Sequence, residues 1–227
     1  MGFQNEKKLV RRLFGAIEDS CHETIQNAIK PFVSDDFKFR GIPFRCRQHF
    51  LNWNFSGYEP YGGEKGVSLH EACMNFWIPV LRAVKNIQRR EDIFIAGRNQ
   101  QICKPKDAPK SDDTTIAGDI WVMSMGHFMG LFDEELWGLR PTGKIINLRY
   151  TEFHRVKHSK IVETVMFIDS LAVMDAAGSY PLPPSTGQYF VYPGPRSHDG
   201  ILLDDADKNE SRKTFGLSLK CIFLSSL

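Results

Sequence analysis

Three side chains able to handle protons recur at every second position of one segment: Tyr150, Glu152 and His154. A phenol, a carboxylate and an imidazole in that register could take a proton from an activated C–H bond and hold the developing oxyanion. Period-two spacing puts them on one face of an extended strand with Leu148, and Arg149, Thr151, Phe153 and Arg155 on the other. The surrounding stretch, GKIINLRYTEFHRVKHSKIVETVMFID over 143–169, holds two runs rich in β-branched and aromatic residues. They flank a polar break at Lys157, His158 and Ser159, the pattern of two long antiparallel strands joined by a tight turn. His127 supplies another imidazole. In GDIWVMSMGHFMG it shares a strand face with Trp121, Met123, Met125 and Met129, and alternating methionines suit either an adaptable apolar cavity or plain core.

Each candidate has a plainer reading beside the catalytic one. Glu152 fits a carboxylate at a cavity rim paired to an arginine, since charged residues are rarely buried without a task or a partner. His154 fits a core histidine with satisfied hydrogen bonds. Asp169 sits where it could cap a helix opening at Ser170. His127, Glu152 and His154 could also be drawn as a two-histidine, one-carboxylate metal set, but their spacing is a weak signal and no metal is expected. G-x-S-x-G, P-loop, dinucleotide-fingerprint and H-E-x-x-H motifs are all absent from the sequence.

The elements that must position these residues follow from periodicity and turn signals. Leu9, Val10, Leu13, Phe14 and Ile17 form the stripe of an amphipathic helix over 6–17. Ser20 and Glu23, and again Ser68 and Glu71, have capping-box spacing; Pro31 should close the first of those helices and Pro79 should kink the second, which reaches about Val84. Phe37 and Phe39 alternate in a short extended piece, and 87–97 reads as a strand. Residues 45–67 and 98–115 read as long loops, Pro141-Thr142-Gly143 as a turn, and 170–177 as a short helix. Helices first and a meander of about four strands next is an α+β order.

Composition narrows the function classes. With 29 Lys+Arg against 27 Asp+Glu, the net charge of +2 gives no electrostatic case for nucleic acid or an anionic membrane surface. No apolar run approaches a membrane span. Five cysteines, odd in number and never in a C-x-x-C pair, fit neither a disulfide framework nor a zinc knuckle, which points to a reducing, cytoplasmic home.

The segments FWIPVLRAVKNIQRREDIFIAG, WVMSMGHFMG, WGLRPTGK and YTEFHRVKHSKIVETVMFIDSLAVMDAAG together resemble a SnoaL-like polyketide cyclase domain, of the nuclear transport factor two-like superfamily. The resemblance implies a cone-shaped, curved antiparallel sheet packed on N-terminal helices, spanning residues 1–178. It also implies chemistry without metal or cofactor: the family's cyclases close a ring by intramolecular aldol condensation, using a carboxylate on the last strand. Anchored on Lys160-Ile161-Val162-Glu163, that carboxylate falls on Met166, which cannot be a base. The family's polar pair falls on Tyr150 and Glu152, and Asp169 matches a family position at the end of the last strand. A relocated site would use Glu152 as base, Tyr150 or His127 as donor to the oxyanion, and His154 as shuttle. The implied function is a cofactor-free cyclase, isomerase or hydrolase acting on a polyketide-like or other apolar oxygenated metabolite. The alternative is a non-catalytic ligand-binding or dimerising module, with a second copy of the chain as partner. Residues 179–227, rich in proline and glycine at their start, are similar to the linker of tandem members, followed by the truncated start of a second domain.

Overall fold

The structure is a computed structural model that describes residues 3–41, 65–98 and 118–180, with isolated positions beyond. The long loops expected at 45–67 and 98–115 and the C-terminal tail lie largely outside the described residues. No helix among those described is long and apolar enough to cross a membrane.

The chain opens with α1 (Gln4–Glu18), whose Val10, Leu13, Phe14 and Ile17 are buried as the stripe requires. A short α2 (Ile25–Ile29) follows, and a 3-10 turn (Lys30–Phe32) with Pro31 in its first positions leads into β1 (Val33–Gly41). The capping box expected at Ser20 does not form. Ser20 turns back to donate to the Ala16 carbonyl, and Thr24 accepts from the Cys21 amide instead, so the helix starts later. At Ser68 the box forms in full: the Ser68 hydroxyl accepts from the Glu71 amide and the Glu71 carboxylate accepts from the Ser68 amide.

That box opens α3 (Leu69–Ala72), which runs through a π turn (Cys73–Trp77) into α4 (Ile78–Ala83). The wide turn lies immediately ahead of Pro79, where a missing amide and a bulky ring disfavour the regular ladder. The kink expected at Pro79 is thus absorbed as a π bulge that buries Phe76 and Trp77.

Strands β2 (Val84–Arg98), β3 (Ile120–Phe132), β4 (Ile145–Lys157) and β5 (Lys160–Ile168) are successively antiparallel. The extended piece around Phe37 and Phe39 is the fifth strand. β1 pairs in parallel with β5, giving one sheet in the order β1-β5-β4-β3-β2. The sheet is curved and unclosed, and α1 to α4 lie on its concave side. The β4–β5 turn has His158 and Ser159 both at positive φ (47° and 58°), the arrangement that a two-residue hairpin demands and that glycine adopts more readily. Gly143 takes the positive φ expected of it at the turn before β4. A last helix, α5 (Ser170–Ala176), closes the described domain; Asp169 caps it by accepting from the Ala172 amide at 3.1 Å. Such a cap is worth about 1 kcal/mol.

Candidate active site

The concave face of the sheet carries a row of polar groups inside an apolar shell. On β4, Leu148, Tyr150, Glu152 and His154 all point inward and are buried, as their alternation predicts. Across β5, Met166 stands opposite Glu152 and Thr164 opposite His154. Across β3, Ser124 stands opposite Glu152 and Gly126 opposite Tyr150.

Strand β2 completes the row by a break in its own alternation. Arg89 faces Phe128 and Glu91 faces Gly126, but the next pair is Ile93 with Met125, leaving Asp92 as an extra residue. This β-bulge resets the phase, so Arg89, Glu91 and Phe94 all face the core despite their uneven spacing. Gly126 permits the bulge: a β-carbon there would intrude on the Arg90 carbonyl oxygen and come within 3.0 Å of Glu91 Cα.

Arg89 is the hub. Its side chain is 3% exposed and its Nη1 is paired with Glu152 Oε1, itself buried. The guanidinium lies 3.7 Å from the Phe14 ring centroid, with Phe128 and Tyr150 at 4.7 and 4.8 Å, so aromatic faces solvate the cation where water cannot. The other Glu152 oxygen, Oε2, is 3.4 Å from His154 Nε2, and His154 Nδ1 is 2.9 Å from Thr164 Oγ1. Phe14 also meets the His154 ring edge-on at 5.5 Å. A second branch runs from Tyr150 to the surface. The Tyr150 hydroxyl is 3.0 Å from Ser124 Oγ, Ser124 donates to Glu91 Oε1 at 3.2 Å, and Glu91 Oε2 is paired with Arg11 on α1.

The electrostatics separate the two carboxylates. Burial alone would raise the Glu152 pKa, but the charge of Arg89, helped by His154, outweighs it and holds the group below its ordinary range. Burial would likewise weaken the Arg89 cation, and the Glu152 charge together with Tyr150 more than offsets that. At Glu91 burial prevails over Arg11 and Arg89, and its pKa is raised. Burial pushes the Tyr150 phenol up to about 12, against the opposing pull of Arg89. Among these groups, then, the environment favours the ionised form of Glu152 and the protonated forms of Glu91 and Tyr150.

Glu152, His154 and Thr164 also line a small, partly open cavity, whose remaining walls are apolar side chains that include Leu13, Ile17, Phe39 and Trp77. Its free space is close to that of a single water molecule.

Of the five residues singled out from the sequence, the structure brings Tyr150, Glu152 and His154 together inside the fold. It places His127 elsewhere. His127 lies with Met123, Met125 and Met129 on the convex face, 3.1 Å from Asp92 Oδ2, because Val122, Ser124, Gly126 and Phe128 take the inward positions of β3. His127 consequently cannot serve the concave cavity, nor share a metal ion with Glu152 and His154. Asp169 lies beyond the end of β5 as a helix cap. Arg89, Glu91, Ser124 and Thr164 join the site without a local motif that marks them. The available signal was the parity break in Arg89-Arg90-Glu91-Asp92-Ile93-Phe94, which a regular strand does not explain.

Comparison with curated proteins returns no match. Among solved structures, AclR from Streptomyces galilaeus is 15% identical, with 79% of this chain and 88% of that chain covered at a TM-score of 0.47. IdmH from Streptomyces antibioticus is 15% identical over 76% and 98%, at 0.45. An NTF2-like protein from Burkholderia thailandensis is 16% identical over 75% and 95%, also at 0.45. The family profile for SnoaL-like polyketide cyclase matches residues 111–177, which include β3, β4, β5 and α5. Three strands of its sheet and the helix after them lie inside that match, so this part of the chain is similar to SnoaL-like polyketide cyclases.

Proposed function

We propose that the domain is a cofactor-free acid–base enzyme of the cyclase, isomerase or hydrolase type, acting on an apolar oxygenated metabolite such as a polyketide-like compound. The observation that carries this reading is the Glu152–His154 pair on the wall of an otherwise apolar cavity. Glu152 stands one strand away from Met166, where the family's carboxylate is missing. Arg89 keeps Glu152 ionised and makes it a weak base, so Glu152 orients the imidazole while His154 exchanges the proton. Ligands of drug size occupy pockets of about 300–1,000 Å³, so a metabolite of that size must displace side chains of the cavity wall to enter.

The test is a thermal-shift screen of small oxygenated compounds followed by turnover assays of those that bind. His154→Gln is expected to keep binding and to lose turnover by about 100-fold. Equal turnover by wild type and His154→Gln would remove the catalytic role.

A second reading, a ligand-binding module that also dimerises, is favoured by the convex sheet face. Phe167 and Ile95 are 46% and 38% exposed there, beside partly buried Met123, Met125 and Phe153. A second copy of the chain is the partner we assign to this face. Phe167→Glu should shift a sedimenting dimer to monomer with the fold intact; an unchanged sedimentation coefficient would remove the assignment. The cytoplasm is the compartment we assign, on the unpaired thiols of Cys21 and Cys73 and the scattered positions of the other cysteines.

A further inference from the structure

The protons around His154 can be placed from the groups that surround it. Glu152 Oε2 lies 3.4 Å from Nε2, close to but short of hydrogen-bond geometry, and a carboxylate held in its ionised form can only accept, so the tautomer that suits this pairing carries its proton on Nε2. Nδ1 then carries the lone pair, and the Thr164 hydroxyl, 2.9 Å away, is its donor. The proton that His154 is poised to accept is therefore that of Thr164. Register explains the arrangement: His154 and Thr164 are directly paired across β4 and β5, and Glu152 lies two residues along on the same face. Arg89 engages Oε1 and leaves Oε2 to the imidazole.

We infer that Thr164, His154 and Glu152 form a hydroxyl–imidazole–carboxylate relay that cleaves short-chain acyl esters through an acyl-Thr164 intermediate. The inference rests on the reading of His154 as the proton-exchanging group. As the Oγ1–H proton moves to Nδ1, Oγ1 attacks the ester carbonyl carbon. The imidazolium, proton-bearing at both nitrogens, is held against Oε2, and that long contact strengthens once it joins two charges. Nδ1–H then protonates the departing alkoxide, the C–O bond to it breaks, and an alcohol leaves. Water enters next, gives a proton to Nδ1 and adds to the acyl carbon. Thr164 Oγ1 departs with that proton, which leaves a carboxylic acid and the starting enzyme. Atoms and charge balance, with water as the only co-reactant. The cavity sets the substrate class: its walls are apolar and its free space is close to that of one water molecule, so the acyl group is the smallest one, acetyl, seated by a shift of the wall side chains.

The experiment uses p-nitrophenyl acetate and the full chain. Wild type is expected to release p-nitrophenolate in a rapid first phase of about one equivalent per chain, followed by slower turnover. The peptide bearing Thr164 should gain the mass of one acetyl group. Thr164→Val, which keeps the shape and removes the hydroxyl, should lose the acetylated peptide and about 100-fold in rate. Thr164→Ser should retain both and keeps the test valid if the valine variant folds poorly. A wild-type protein without acetyl on that peptide, or a folded Thr164→Val as fast as wild type, overturns the relay. If turnover survives Thr164→Val but is lost in His154→Gln, the relay falls and the acid–base reading stands. If both variants match wild type, both fall.

Discussion

Replacing Arg89 with methionine is expected to lower the unfolding free energy by about 3–5 kcal/mol near neutral pH, the usual cost of removing one partner from a buried ion pair. Against the 5–15 kcal/mol that holds a typical domain together, that is roughly a third or more of the total. The cause is what remains behind. Glu152 would keep its burial and lose the cation that offsets it, with only His154 nearby. The pH dependence should change sign along with the pKa. In the wild type the folded-state pKa of Glu152 is depressed, so its contribution is present above the unfolded carboxylate value of about 4.3 and is lost as pH falls through the lower folded value. In Arg89→Met the folded-state pKa rises above the unfolded value. The ionised group then opposes folding at neutral pH, and protonation relieves it in mild acid. Urea unfolding of both proteins at neutral pH and at about pH 4 should show a deficit that shrinks with acidification. Adding Glu152→Leu to Arg89→Met should recover much of the loss, because a buried pair can often be exchanged for well-packed apolar groups. A deficit that grows in acid, or a single variant as stable as wild type, would mean that Arg89 is not the counter-charge of Glu152.

Gly126→Ala should be the next most damaging single change, at about 3 kcal/mol. The added methyl group would meet the Arg90 carbonyl oxygen and carbon and the Glu91 α-carbon. These are backbone atoms of the facing strand and cannot rotate away as a side chain could. Strands β2 and β3 must therefore separate locally or give up the bulge at Asp92. Either outcome displaces Glu91 from Ser124 and Asp92 from His127, so damage should reach both faces of the sheet at once. Chemical denaturation measures the loss, and backbone amide chemical shifts of residues 89–94 and 124–128 report the altered register. An alanine variant within about 0.5 kcal/mol of wild type, the range of an ordinary surface change, would show that the bulge does not depend on glycine.

How far the site could be read from residue order alone is shown by comparing β4 with β3. On β4, one face offers Leu148, Tyr150, Glu152 and His154 and the other offers two arginines, so polarity identifies the inner face, and all four of those residues are buried. On β3 the faces are Trp121, Met123, Met125, His127 and Met129 against Val122, Ser124, Gly126 and Phe128. Apolar content favours the first set and the structure buries the second. Alternation divides a strand into two faces, but which face meets the core depends on the neighbouring strand and helices. Here the decisive neighbour is the bulged β2, which needs Gly126 beneath Glu91.

The order of residues was enough to determine the α+β class, the buried stripe of α1, the capping box at Ser68, most strand positions, the hairpin at His158-Ser159 and the resemblance to SnoaL-like domains. These features depend on local periodicity, turn chemistry and motif, which are written within a few residues of one another. Tertiary structure alone decided that Glu152 is clamped by Arg89, 63 positions earlier, and that Thr164 meets the imidazole Nδ1 from the next strand. It also decided that His127 faces outward. An ion pair or a hydroxyl–imidazole contact comes from packing between distant strands: register, curvature and one bulge bring charges within reach, and no local pattern specifies those distances.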